Sequence, residues 1–277
     1  MQFKVVCCKL FGSLTLITFL LACANTTRSG AVGVNRSQFL AVSASEVDRL
    51  SAISFNEQNK KAKEKNILIT SGPTYDRLKL ISNRLIAQTG VFRDDTRQWN
   101  WQLVLINAPI LNATCAPGGK ITFYTGLIEK LNLNDDEIAA IMGHEIAHAL
   151  REHGRERLSQ AMAQSAVVNI AMAAAGSYGS AIGAANQAAQ YILVLPNSRQ
   201  NESEADAIGL ELAARAGYNP QAAISVWQKM NQITQGKGSP EFLSTHPSGD
   251  TRIEQLSQLM PAVEPLYFSA PKPAANK

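Results

Sequence analysis

His144-Glu145-Ile146-Ala147-His148 is the stretch that decides how the rest of this 277-residue chain is read. On a helix turning about 100° per residue, imidazoles at i and i+4 share one face a turn apart, the spacing at which both can ligate one tetrahedral metal ion. Glu145 lies one step round. From there its carboxylate can accept a proton from water at the metal without ligating, as a general base must. Asn134-Asp135-Asp136-Glu137 reads as an N-cap with a capping-box acid three residues on, so the signature is expected inside a real helix. Ile138, Ile141, Ile146, Ala149 and Leu150 supply its buried positions. Arg151, Glu152, Arg155, Glu156 and Arg157 read as solvated, and His153, in their midst, as a surface residue.

Two histidines leave a zinc ion short of a third protein ligand. Glu202-Ser203-Glu204-Ala205-Asp206 offers one, because Glu202 and Asp206 are i and i+4 on one helical face: one carboxylate can bind metal while the other holds a zinc histidine in its tautomer. Glu204 points about 160° round from Asp206 and is the weaker candidate. The same acids would also suit a helix start that complements the dipole.

The first 22 residues carry two lysines and no acid, then an apolar run from Leu10 to Leu21, then Cys23. That order is an export signal whose core is short for a membrane span. It resembles a bacterial lipoprotein signal with Cys23 as the lipidated first residue, and Ala24 behind it is similar to lipoproteins sent to the outer membrane. More than one acyl chain anchors stably. With 26 basic and 22 acidic side chains overall, nucleic acid is not expected as the main partner. The lysine run at 60–65 reads as a solvated helix end. Cys115 is left without a partner for a disulfide and reads as a small packing residue.

Along the chain, residues 1–22 are expected as the signal peptide, 23–37 as a lipidated polar tether, 38–260 as one domain, and 261–277 as a flexible Pro/Ala-rich tail. Helices are expected at about 43–65, 74–88, 202–216 and 220–233, with a short one from about Asp250. Trp99 to Ile106 alternates as a strand, and Ala113 to Tyr124, broken by Pro117-Gly118-Gly119, reads as a hairpin. Leu158 to Ser198 has no charged residue. It is too weakly apolar for a comfortable membrane span, and reads as two helices joined at a glycine hinge, packed over the metal face or a partner.

Asp136 to Arg157, the E-x-x-A-D at Glu202 to Asp206, and Thr245-His246-Pro247 with Arg252 and Ile253 together resemble the HtpX and CAAX-prenyl-protease family of zinc metallopeptidases, in its soluble periplasmic lipoprotein branch. The resemblance implies an α+β, mostly helical zincin-like domain with a small antiparallel sheet beside the metal helix. It implies one Zn2+ per chain on His144, His148 and Glu202, with Glu145 as base and Asp206 behind a ligand. It also implies Ile121, Thr122, Phe123 and Tyr124 as an edge strand for an extended peptide. His246 and Arg252 are candidates for a fourth ligand, an oxyanion donor or a gate. The flanking membrane helices of integral members, and the C-terminal helical repeats of some periplasmic ones, have no counterpart here, so substrate range does not carry over.

The expected function is a zinc endopeptidase, lipid-anchored at the bacterial outer membrane and facing the periplasm, acting on unfolded or misassembled envelope proteins in protein quality control, with the outer-membrane assembly machinery as a candidate partner. The alternative is an assembly factor or chaperone that binds the same clients with little hydrolysis. A purely structural zinc is the weakest reading, since such sites usually close with four side chains and often thiolates.

Overall fold

The computed structural model describes residues 23–164, 178–234, 241–246 and 250–274. The expected signal segment, Gly176 of the expected hinge, residues 236–239 and Pro247 lie outside the described residues. Within them the helices are α1 (Ala44–Glu64), α2 (Pro73–Ile86), α3 (Thr125–Lys130), α4 (Asp135–Leu150) and α5 (His153–Gln164). They continue with α6 (Tyr178–Ala189), which runs into a π-helical turn at Gln190–Val194, then α7 (Arg199–Arg215), α8 (Ala222–Thr234), α9 (Glu241–Thr245) and α10 (Asp250–Ser269). No helix of the described residues is long and apolar enough to cross a membrane.

A four-stranded sheet is built from β3 (Leu68–Ile69), β4 (Gln102–Ile106), β5 (Ala113–Ala116) and β6 (Lys120–Tyr124), in the order β3-β4-β6-β5. The β5–β6 hairpin turns through Gly118 and Gly119, both at positive φ, and pairs antiparallel, with Cys115 opposite Ile121. Its second strand then inserts beside β4 in parallel, with Leu103 opposite Ile121 and Leu105 opposite Phe123. The sheet is therefore mixed, and Ile121–Tyr124 is not an edge strand. Ile121, Thr122 and Phe123 are all buried, as suits a strand flanked on both sides, and among the described residues the open edge nearer the site is β5.

Helix α4 forms the centre of the core. Its start is the capping box the sequence announces: Asn134 Oδ1 accepts from the Glu137 amide and Glu137 Oε2 from the Asn134 amide, both at 2.9 Å. From Ile138 to Leu150 all but one residue is buried, because the sheet and α2 cover one side and α7 the other. The α4–α7 crossing runs through two glycines. A methyl group on Gly143 would come within 2.8 Å of Gly209 O, and one on Gly209 within 2.6 Å of the His144 amide nitrogen. With any larger residue the backbones would separate, and His144 and His148 would move away from α7.

Two terminal expectations are corrected. The tail from Pro261 does not fray at once: α10 runs through Pro261 and Pro265 to Ser269, with Leu256, Met260 and Val263 buried in the core. Burying such side chains contributes about 1.5–3 kcal/mol each, which offsets the cost of proline in a helix. Nor are residues 23–37 a loose tether. Strand β1 (Cys23–Ala24) pairs with β2 (Gln38–Phe39), and the amides of Ala31 and Val32 donate to the buried Glu211 Oε2 at 2.7 and 3.1 Å. Buried carboxylates need donors, and this polar strap supplies them.

Candidate metal centre

The helix crossing places His144 and His148 against the first two turns of α7, which Ser198 caps by accepting from the Asn201 amide at 3.1 Å. His144 Nε2 lies 3.1 Å from His148 Nε2 and 3.5 Å from Glu202 Oε2, and His148 Nε2 lies 3.3 Å from Glu202 Oε1. His246, the residue after α9, brings Nδ1 to 3.2 Å from His144 Nε2 and 3.0 Å from Glu202 Oε1. All four residues are buried, and one donor atom from each lies within 4.8 Å of the others. Donors around a tetrahedral zinc, bound at about 2.0–2.2 Å, sit roughly 3.3 Å apart. This set fits one zinc ion.

The electrostatics agree. Burial disfavours the ionised Glu202 carboxyl, but His246, His144 and His148 hold it well below the ordinary range. Burial also opposes protonation of His144, yet Asp206 and Glu202 outweigh it and push that imidazole up to about 9. His148, where burial dominates, falls well below the ordinary histidine value. An ionised Glu202 carboxylate facing a neutral His148 imidazole is the pair of protonation states that ligands of a zinc ion take.

Asp206 stands where the sequence predicts, its Oδ1 3.0 Å from His144 Nδ1. Arg252 does not stand free to meet an oxyanion. Its Nε and Nη2 each bond Asp206 at 2.6 Å, its Nη1 bonds Glu202 Oε2 at 2.7 Å, and its guanidinium carbon lies 3.7 Å from the centre of the Trp227 ring. Arg252 braces the two carboxylates from behind. Trp227, and Phe242, whose ring stacks on His246 at 4.5 Å, complete this wall. Both read in the sequence as ordinary apolar helix residues, with no signal separating them from core.

Glu145 is buried, and its Oε1 makes no hydrogen bond; it lies 3.3 Å from His246 Nε2. Burial raises this carboxyl above its ordinary range, against the pull of His246 and His144, which makes it a better proton acceptor. Its nearest walls include Thr114 and Cys115 of β5, His148, Arg157, Asn197 and His246. A larger cleft of about 450 Å³ adjoins, lined by Ser54 and Gln58 of α1, Thr114, Tyr124, Leu193 and Thr245. Thr114 borders both, so the open edge of β5 leads from the cleft to Glu145. Cys115 is buried, and burial drives its thiol far up, which suits the packing role read for it.

The charged stretch after the signature departs most from expectation. Arg151, Glu152, His153 and Glu156 are buried, and His153 is wholly so. Helix α4 stops at Arg151, and Glu152 takes a left-handed φ of 51°, so α5 starts afresh at His153. In one continuous helix His153 would lie about 140° round from His148. The break instead brings the two Nδ1 atoms to 2.8 Å, and His153 Nε2 lies 3.2 Å from Glu204 Oε2. Arg151 Nε bonds the same Glu204 oxygen at 3.0 Å, while Arg36 reaches Glu204 Oε1 and Glu156 Oε1, both at 2.5 Å. Burial pushes His153 down to about 4, and the Glu204 carboxyl, despite burial, is drawn down to about 2 by His153 and Arg36. A left-handed glutamate leaves no mark in sequence periodicity.

Residues 74–260 match the model of peptidase family M48. The chain is 37% identical over 163 residues to the mitochondrial metalloendopeptidase OMA1 of Arabidopsis thaliana, covering 57% of this chain and 31% of that protein. It is 30% identical over 231 residues to that of Schizosaccharomyces pombe, covering 83% and 66%. It is 30% identical over 176 residues to the beta-barrel assembly-enhancing protease of Escherichia coli O157:H7, covering 57% and 35%. The matched stretch thus spans 31% to 66% of the length of these relatives. They support the zinc metallopeptidase class read in the sequence and do not single out its HtpX and CAAX-prenyl-protease members. With the family model matching more than half of the residues and all four donor residues lying inside the match, the chain belongs to peptidase family M48.

Proposed function

We propose that this chain is a zinc-dependent endopeptidase that cleaves unfolded or misassembled proteins of a bacterial envelope. The observation that carries the activity is the buried, hydrogen-bond-free oxygen of Glu145 beside the four-residue donor set and at the end of an open sheet edge. His144, His148 and Glu202 would hold the ion, which supplies a Lewis acid that polarises a carbonyl and acidifies water. Glu145 accepts the water proton and returns it to the leaving amine. An extended substrate adds to β5, at Ala113–Ala116, and its backbone pairing makes recognition depend on unfolded conformation rather than on side-chain identity. The names of the relatives, metalloendopeptidase and beta-barrel assembly-enhancing protease, support peptide hydrolysis and a link to β-barrel assembly.

His246 serves as a fourth donor in the resting protein and must leave for substrate to enter. Location follows from the basic-apolar-cysteine order before exposed Cys23, which supports a lipid anchor at the outer membrane, facing the periplasm. Cys23→Ala should then move to the soluble fraction; retention on washed membranes rejects the anchor. For the activity, wild type and Glu145→Gln are incubated with unfolded casein, with and without chelator. Glu145→Gln should keep its zinc and lose about 10²–10⁴-fold in cleavage. Undiminished cleavage rejects the mechanism, and client binding that survives in the variant with no wild-type cleavage would favour a chaperone.

A further inference from the structure

We propose that His153 and Glu204 form a second support on the zinc ligand His148, and that the amino-terminal strap joins this support through Arg36, so that the strap sets metal affinity. The inference rests on the metal centre proposed above, and the hydrogen-bond directions follow from it without choice. A histidine that offers its Nε2 lone pair to a cation carries its proton on Nδ1. His148 Nδ1 faces only a nitrogen, His153 Nδ1, at 2.8 Å, so His148 donates and His153 accepts. The proton of His153 then sits on Nε2, which is the atom that faces Glu204 Oε2 at 3.2 Å. The opposite direction would place a proton on His148 Nε2 and block it as a ligand.

Glu204 is held by Arg151, the residue after α4, and by Arg36 from the strap, and Arg36 also bonds Glu156 and Asn201. Arg36 lies two residues before β2, where Gln38 is wholly buried and donates to Arg151 O at 2.6 Å and Glu156 Oε2 at 3.0 Å. One hydrogen-bonded line therefore runs from residues 36–38 to the metal-facing imidazole. A carboxylate behind a metal histidine fixes its ring and raises its basicity; here a second imidazole is interposed. His153, Glu204 and Arg36 are positioning residues: they meet neither the ion nor a substrate.

The test is the zinc dissociation constant of the full chain, measured by chelator competition, with the visible spectrum of the cobalt-substituted protein as a second reading. Wild type binding zinc and yielding a tetrahedral cobalt spectrum tests the centre itself. His153→Phe, which keeps volume but cannot accept or donate, should weaken zinc about 10–100-fold and shift the cobalt bands. Arg36→Gln should weaken it several-fold. Glu156→Gln removes the strap's other carboxylate and should lower stability while leaving zinc affinity within about twofold. A His153→Phe protein with wild-type zinc affinity and spectrum overturns the support. Should that variant fail to fold, Glu204→Gln takes its place on the same readings. Arg36→Gln with unchanged affinity, or Glu156→Gln weakened as much as Arg36→Gln, overturns the strap's part.

Discussion

Two buried polar networks meet on α4 and α7, and they are built from the same residue types to opposite ends. On the front, Glu202 and Asp206 are ion-paired with the single guanidinium of Arg252, Glu145 lies against an imidazole, and His144, His148 and His246 crowd between them. On the back, Glu204 and Glu156 are answered by Arg151 and Arg36, with His153 between. The back neutralises itself. The front has a surplus of carboxylate among buried side chains, and such a site is stable only if it takes up a cation or protons. Charge balance among directly contacting groups, more than the presence of histidine, separates a metal site from a structural cluster.

The largest effect that could break this comparison comes from deleting one arginine on each side. Arg252→Met should cost about 3–5 kcal/mol in chelator, because two buried carboxylates lose their counter-charge. Zinc should restore part of that loss. Arg151→Met should cost a comparable amount with no such recovery. Urea unfolding with and without zinc measures both, and an Arg252→Met loss that zinc leaves untouched would mean that the front, too, balances itself.

A smaller, signed effect belongs to His246. In its proposed role as a fourth donor it closes the position a substrate needs, so His246→Ala should raise basal proteolysis or self-cleavage several-fold with zinc retained. A clear fall in activity at constant zinc content would assign His246 to the oxyanion instead.

The smallest effect is a control at the far end of α4. Glu137 caps the helix and bonds Lys229 Nζ at 2.7 Å; burial raises its carboxyl, but Lys229, Ser225 and the Asn134 amide outweigh this and hold it below its ordinary 4.5. Its contribution is present above about pH 4.5 and is lost as pH falls through the lowered value. Glu137→Gln should therefore lower the thermal midpoint by a few degrees near neutrality, about 1 kcal/mol, and converge on wild type in acid, with zinc affinity unaltered. A gap that persists unchanged to low pH would assign the effect to packing rather than charge.

What was legible in the sequence was whatever depends on local spacing. The capping box at Asn134, the i and i+4 imidazoles, Glu145 beside them, and Glu202 with Asp206 one turn apart all follow from helix geometry and composition; the structure keeps the cap at the start of α4 and brings the other side chains together. The central place of β6 was not legible, because pairing partners are chosen by the whole sheet, and a buried five-residue strand reads alike at the edge or in the middle. Neither were the burial of His153, which hangs on one left-handed residue, nor the docking of Arg36, 168 residues from Glu204 in the chain. Local periodicity determined which side chains of α4 and α7 share a face and can converge. Only the tertiary structure decided which carboxylates find an arginine, because counter-charges come from segments that nothing in sequence order brings together.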